Sequence, residues 1–206
     1  DKKEAVSIVD YDQVELVLDA YIETIKGYLD CKNIGDALQC LNKAKILCAV
    51  KEGPVGVHQL NNRVEEKLRT KGLRPNLIFY ENRPIIIRKN QPEQQLYNGE
   101  IGLIRAGMAY FLNTNNEVIC IDPAYIVACE TVFALTIHKS QGSEYNSVYI
   151  FLPPQAGHRM VRKELLYTAV TRAQQKVCII ADKMVLEQSL IQKTKRASGL
   201  KERLYV

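Results

Sequence analysis

Apolar residues at helical spacing open the chain. Val14, Leu18, Tyr21, Ile22 and Ile25 fall on one helix face, and Asp12-Gln13-Val14-Glu15 has the spacing of a capping box at its start. A second short helix is expected after Asp36. The run Ile46-Leu47-Cys48-Ala49-Val50 reads as a buried strand, stopped by Gly53-Pro54, and Val57, Leu60, Val64 and Leu68 mark a helix beyond that loop. The period changes near Arg83. From there to Glu130 the sequence predicts short strands at Pro84–Arg88, Ile101–Arg105, Met108–Leu112, Val118–Ile121 and Ile126–Cys129. Asn98-Gly99 and Asn113-Thr114-Asn115-Asn116 supply turns between them. Several short strands with no helical period predict a small β-barrel of the SH3 or OB kind. Alternation of strand and helix then resumes: strands at Val132–Ile137, Val148–Leu152 and Val177–Ala181, helices at Glu164–Ala173 and Met184–Gln192. The pattern is that of an α/β domain interrupted by a β-barrel insertion.

Composition narrows this little. The 206 residues are 47% hydrophobic and 25% charged, enough to bury a core and too apolar for a disordered chain. No apolar run approaches the ~18 residues of a membrane helix, and no apolar segment behind Asp1-Lys2-Lys3-Glu4 reads as a secretory signal. A start at Asp instead of Met points to a piece of something longer. The six cysteines contain no Cys-x-x-Cys and the three histidines are scattered, so no metal site is expected. Reduced cysteines serving as small buried hydrophobes fit a cytoplasmic protein. Charge is uneven. Residues 1–36 carry 4 Lys/Arg against 9 Asp/Glu, whereas the remainder carries 24 against 14. A basic body of this kind suits a polyanion, although a solvated surface would give the same count.

Two segments offer chemistry. Leu135-Thr136-Ile137-His138-Lys139-Ser140-Gln141-Gly142-Ser143-Glu144-Tyr145 is a strand running into hydroxyls, an imidazole, an ammonium and a glycine. Such a strand end can hold a phosphate-rich ligand, and a polar loop that satisfies its own turn hydrogen bonds would look the same. Leu165-Leu166-Tyr167-Thr168-Ala169-Val170-Thr171-Arg172-Ala173 is an apolar helix presenting one arginine near its end. That arginine is either a surface ion-pair partner or a charge delivered to a phosphate held by another domain.

Together these segments resemble motifs V and VI of superfamily 1 DNA helicases, and in wording the RecD branch. Ile46 to Val57 is similar to that branch's motif IV region, with Lys51 where the family carries arginine. Arg83-Pro84-Ile85-Ile86-Ile87-Arg88-Lys89-Asn90 and Tyr97-Asn98-Gly99-Glu100-Ile101-Gly102 resemble the start of its barrel insertion, and Arg196-Ala197-Ser198-Gly199-Leu200 resembles the end of such chains. The resemblance covers roughly residues 36 to 203 and implies a recombinase-like (P-loop NTPase-type) second motor domain, residues 1–82 and 131–206, with an SH3-like β-barrel insertion at 83–130. It implies Arg172 as the arginine finger, and a nucleotide-binding set of Glu144 (at the ribose), Gly142, Gln141 and Lys51. Thr136, His138, Lys139 and Ser140, with Arg88, Lys89 and Arg105 from the insertion, become the implied contacts to single-stranded DNA.

The sequence contains no Gly-Lys dipeptide and hence no Walker A loop. Ile179-Ile180-Ala181-Asp182, although it looks like a Walker B strand end, is read as an ordinary strand terminus. The expectation is that ATP and Mg²⁺ are used by a full-length parent whose first motor domain lies upstream, and that this piece alone hydrolyses nothing. The implied parent is a 5′→3′ DNA helicase acting in recombinational double-strand break repair. It would work with RecB- and RecC-type subunits in exonuclease V, away from membranes. Two other readings stand beside it. One is a stand-alone RecD-like or conjugative relaxase helicase. The other is a non-motor domain for DNA binding or subunit docking.

Overall fold

The computed structural model describes residues 5–75, 77–113, 115–154 and 161–191. In chain order its elements are β1 (Val6–Val9), α1 (Val14–Ile25), α2 (Gly27–Asp30), α3 (Ile34–Leu41), β2 (Ala44–Cys48) and α4 (Val57–Arg69). Next come β3 (Pro84–Ile87), β4 (Ile101–Arg105), β5 (Met108–Leu112), β6 (Val118–Ile121), β7 (Cys129–Thr131), β8 (Ala134–Thr136) and β9 (Tyr145–Phe151). The last are α5 (Lys163–Val170), β10 (Ala173–Ile180) and α6 (Lys183–Ile191). Gln192 and the segment 196–200 lie outside the described residues.

Five strands form a parallel sheet in the order β1-β10-β9-β2-β8. Both of its faces are covered, which is why its strands read as continuous apolar runs. Side chains alternate between two cores. Ile46, Cys48, Tyr149, Phe151, Cys178 and Ile180 face α1, α3 and α4. Leu47, Val148, Ile150, Val177 and Ile179 face α5 and α6. The α1 stripe is buried as its spacing predicts, Leu18, Tyr21 and Ile25 being fully enclosed. Each such side chain contributes roughly 1.5–3 kcal/mol of burial.

Several boundaries depart from the sequence pattern. The edge strand β1 has no counterpart in the expected elements; its exposed Val6 and Ile8 form no buried run. The expected cap at Asp12 makes no side-chain hydrogen bond to the helix start. Glu15 turns instead to Arg63 and Lys67. Acidic residues at four-residue intervals on α1 (Glu15, Asp19, Glu23) meet basic residues at the same interval on and just after α4 (Arg63, Lys67, Lys71). The acidic leader is therefore spent on part of the basic body. Of the six free cysteines only Cys48 and Cys178 are buried, and Cys120 is exposed.

Between α4 and β8 the chain leaves the parallel sheet and builds a second, antiparallel one, ordered β6-β5-β4-β3-β7. It has its own core of Ile85, Ile87, Leu96, Ile104, Ala109 and Phe111. Gly102 is required there, because a Cβ would lie 2.4 Å from the Phe111 ring. The edge strands β6 and β7 are not paired with each other, so hydrogen bonding leaves this sheet open. The two ends of the excursion adjoin, with Val132 N donating to Pro84 O at 3.1 Å. They are clamped by Glu65 of α4, which accepts from Tyr80 and, at 3.0 Å, from the Thr131 hydroxyl. Ile86 and Leu103 reach past this sheet into the two cores of the parallel one.

Candidate functional site

The parallel register ends β2, β8 and β9 together, pairing Cys48 with Thr136 and with Phe151. Loops leaving the carboxyl ends of parallel strands are where open α/β sheets bind ligands. Here they enclose a cleft of about 760 Å³ walled by 49–55, Thr136, His138, Lys139, Pro153 and Pro154. The 49–55 loop is folded back on itself: Gly56 N donates to Gly53 O (3.0 Å) and His58 N to Lys51 O (3.3 Å). Gly56 has no room for a side chain, since its Cβ would stand 2.5 Å from Lys51 O. A second recess of about 240 Å³ adjoins this cleft and shares Lys51, Glu52, Thr136 and Lys139 with it, adding Arg88, Glu130 and His58.

One 3-10 turn, Ile137–Ser140, carries the sequence-predicted set. Thr136 caps it by accepting from Lys139 N at 3.3 Å. Ser140 is fully buried and donates to Ile137 O at 2.7 Å, so its hydroxyl builds the turn and faces no ligand. His138 is exposed, and Lys139 is half-buried with its ammonium 3.5 Å from Glu130. Burial, then the Arg88 and Lys51 charges, hold the Lys139 pKa below its ordinary value.

Past this turn the chain crosses to the amino ends of the strands. Gln141 and Gly142 are exposed, Gly142 with φ +88°, and Glu144 accepts from Gln174 at 3.0 Å. Tyr145 N donates to Arg172 O at 2.9 Å. The Arg172 guanidinium donates to Thr168 O and Ser143 O, each at 3.2 Å, and to the Thr171 hydroxyl at 3.4 Å. Of its five guanidinium N–H groups, three are used among the described residues, which leaves an oriented pair of donors.

The structure thus separates the predicted residues into two edges. Gln141, Gly142, Glu144 and Arg172 share the amino edge. Lys51 does not join them; the loop after β2 places it at the carboxyl edge with Thr136, His138 and Lys139. Arg88 belongs to this second group, and Lys89 is exposed and lines neither cleft. Arg105, expected at the DNA, is engaged within the fold and lines neither cleft. Its guanidinium donates to Tyr28 O, Cys31 O and the Asn82 side chain at 2.5 to 3.0 Å, tying the antiparallel sheet to α2. Glu130 is the residue that sequence reasoning missed. Only the antiparallel pairing of β3 with β7 brings it beside Arg88. Among the described residues no three His, Cys, Asp or Glu side chains form a metal-binding group.

Residues 131–180, which include the Thr136–Glu144 run and Arg172, match the UvrD-like helicase C-terminal domain. The RecBCD enzyme subunit RecD of Mycobacterium tuberculosis (strain ATCC 25618 / H37Rv) is 35% identical over 172 residues, 82% of this chain and 30% of the relative. RecD of Mycolicibacterium smegmatis is 31% identical over 205 residues, 98% of this chain and 37% of the relative. The chain belongs to the RecD helicase family. This RecD-type chain spans about a third of the length of those curated relatives and corresponds to a C-terminal helicase region. Its fold is shared with Pif1 helicase from Bacteroides, crystallised with ADP-AlF3 and single-stranded DNA. The TM-score is 0.51 at 18% identity, covering 90% of this chain and 53% of the other.

Proposed function

We propose that this chain is the second motor domain of an ATP-dependent 5′→3′ DNA helicase, the alpha-subunit type of exonuclease V, acting in the cytoplasm in double-strand break repair. Single-stranded DNA would cross the carboxyl edge. A first motor domain of the same protein would face the amino edge, and RecB- and RecC-type subunits would complete the assembly. The antiparallel segment 83–130 would be the SH3-like module of such a motor, bordering the DNA path through Arg88.

The observation that carries this reading is the connection from Thr136 to Tyr145. It is one short, hydrogen-bonded run with the DNA-type residues at its start and the nucleotide-type residues at its end. These residues fit one wall of a nucleotide site and lack the phosphate cradle, since no Walker A loop is present. Bound ATP, held with Mg²⁺ by the other domain, supplies the driving free energy. On this wall Glu144 would accept from the ribose and Arg172 would aim its two uncommitted donors at the phosphate, pre-oriented by Thr168 O and Ser143 O. At the other edge Thr136, His138, Lys139 and Lys51 would hold the DNA backbone by position and charge, without reading bases.

In the intact protein, Arg172→Ala is expected to lower ATP turnover by about 10³-fold or more, with single-stranded DNA affinity nearly unchanged. Arg172→Lys should restore little, because an ammonium lacks the forked donor geometry. The lost scaffolding bonds should cost about 1–2 kcal/mol in a denaturant titration. Retained turnover in either variant would sink the finger assignment.

A further inference from the structure

Resting on the helicase reading, one cluster at the carboxyl edge carries a further step. Three cations arrive from three separate elements. Lys51 comes from the loop after β2, Arg88 from the position just after β3, and Lys139 from the turn after β8. One carboxylate answers two of them. Glu130 of β7 splits its oxygens, Oε1 to Arg88 and Oε2 to Lys139 at 3.5 Å. The side chains of Arg88, Glu130 and Lys139 are 34%, 37% and 29% exposed, so the pairs are screened yet open to an incoming anion. The recess they line, about 240 Å³, is continuous in its walls with the larger cleft through Lys51 and Thr136. Three cations face two carboxylates, Glu130 and an exposed Glu52 that lies 3.3 Å from His58, and the remaining positive charge favours a further anion. Burial, then the neighbouring charges of Arg88 and Lys51, disfavours the charged form of Lys139, and an anion in the recess would offset both.

We propose that Lys51, Arg88 and Lys139 form one phosphodiester subsite for single-stranded DNA, in which Glu130 is the resident counter-ion that the phosphate must displace. Glu130 then acts as a positioning residue and as a brake on affinity. With no DNA phosphate present it keeps Arg88 and Lys139 pointed into the recess. When DNA is bound it competes for the same donors and speeds release. A motor that steps along a strand needs contacts that let go, and a built-in competitor supplies that property without any base-specific contact. The subsite straddles the parallel and antiparallel sheets, so a phosphate bound there also bridges the two.

The test uses the intact protein and a fluorescent oligothymidylate, with affinity measured by anisotropy over a range of salt. Glu130→Gln keeps the side-chain shape and removes the charge. It is expected to tighten binding about fivefold at low salt, the size of one contact-range charge pair in a water-like dielectric. It should also steepen the log–log salt slope by about 0.7, one additional counterion released from single-stranded DNA. Arg88→Gln should weaken binding and flatten the slope, and the double variant should return near the unsubstituted affinity. If Glu130→Gln fails to fold, Glu130→Asp serves, since a carboxylate one methylene shorter cannot span both cations and should tighten binding to a smaller degree. An ATP arm separates the two phosphate sources. Nucleotide affinity unchanged by Glu130→Gln supports a DNA subsite, and tightened nucleotide binding with unchanged oligonucleotide binding overturns it. Salt-dependent binding that is present but indifferent to Glu130→Gln overturns this inference alone. Absence of any such binding in the unsubstituted protein overturns the helicase reading with it.

Discussion

Lys45 is the second residue of β2, wholly enclosed, with its ammonium donating to Val132 O at 3.2 Å and standing 5.7 Å from the Tyr145 ring centre. One carbonyl and one aromatic face compensate poorly for lost hydration, so burial lowers its pKa from 10.5 to about 7. Below pH 7 the lysine is charged whether folded or unfolded, and the burial penalty is felt in full. From about pH 7 to about pH 10.5 the unfolded chain holds a proton that the folded one has released, so stability rises with pH across that window. Lys45→Met, similar in volume and uncharged, is expected to raise the melting temperature at pH 7 and to remove that rise. A substituted protein that still tracks the original from pH 7 to about pH 9 would place the titration elsewhere. The sequence reading placed Ile46–Val50 within a buried strand and passed over Lys45, because no spacing rule marks a lysine whose partner lies 87 residues away.

At the scale of elements, α4 is fastened to β8 by one side chain. Asn61 accepts from Phe133 N (2.8 Å) and Ala134 N (2.9 Å) and donates to Ala134 O and Val57 O, both at 3.0 Å. The strand that leads into Thr136 is thereby held by the helix that follows the Lys51 loop. Asn61→Ala leaves two buried amides and a carbonyl unpaired and is expected to cost about 2–4 kcal/mol, with hydrogen exchange at Phe133 and Ala134 accelerated ahead of the rest of the sheet. Uniform protection with only a small loss of stability would mean that the edge of the sheet re-forms without it.

The buried central strands were legible in the sequence because two covered faces make a strand apolar throughout. Other boundaries were not. Gln174 and Gln175 fall at a break in the β10–β9 register between the paired Ala173 and Lys176, and α5 stops at Val170 where the Arg172 turn begins. The motif turn 136–144 stood out by composition. That Ser140 points inward while His138 points outward depends on a single 3-10 turn that no helical or strand period describes.

For the molecule as a whole, Arg105 is the strut between the antiparallel sheet and the α2 region. Arg105→Ala should lower stability by about 3 kcal/mol, the scale of several charge-assisted hydrogen bonds to carbonyls, with single-stranded DNA affinity unchanged. A salt-dependent loss of affinity at constant stability would restore it to the DNA path. Its basic character and its place at the end of a glycine-bearing strand gave no sign of this, since two of its acceptors are backbone carbonyls more than seventy residues upstream and the third is the Asn82 side chain.

The adjoining ends of the antiparallel excursion, Pro84 and Val132, have one further consequence. Along the covalent chain the excursion is a side road: a handful of atoms would rejoin the main path if it were cut away. In contact space it is a pair of plugs, since Ile86 and Leu103 each complete a different core of the parallel sheet. Length changes are cheap at its outer turns, where Asn113, Asn116 and Gly107 sit, and costly at β3 and β4. Descendants of this chain can lengthen the excursion freely at its rim, but they cannot discard it without reinventing the walls it closes.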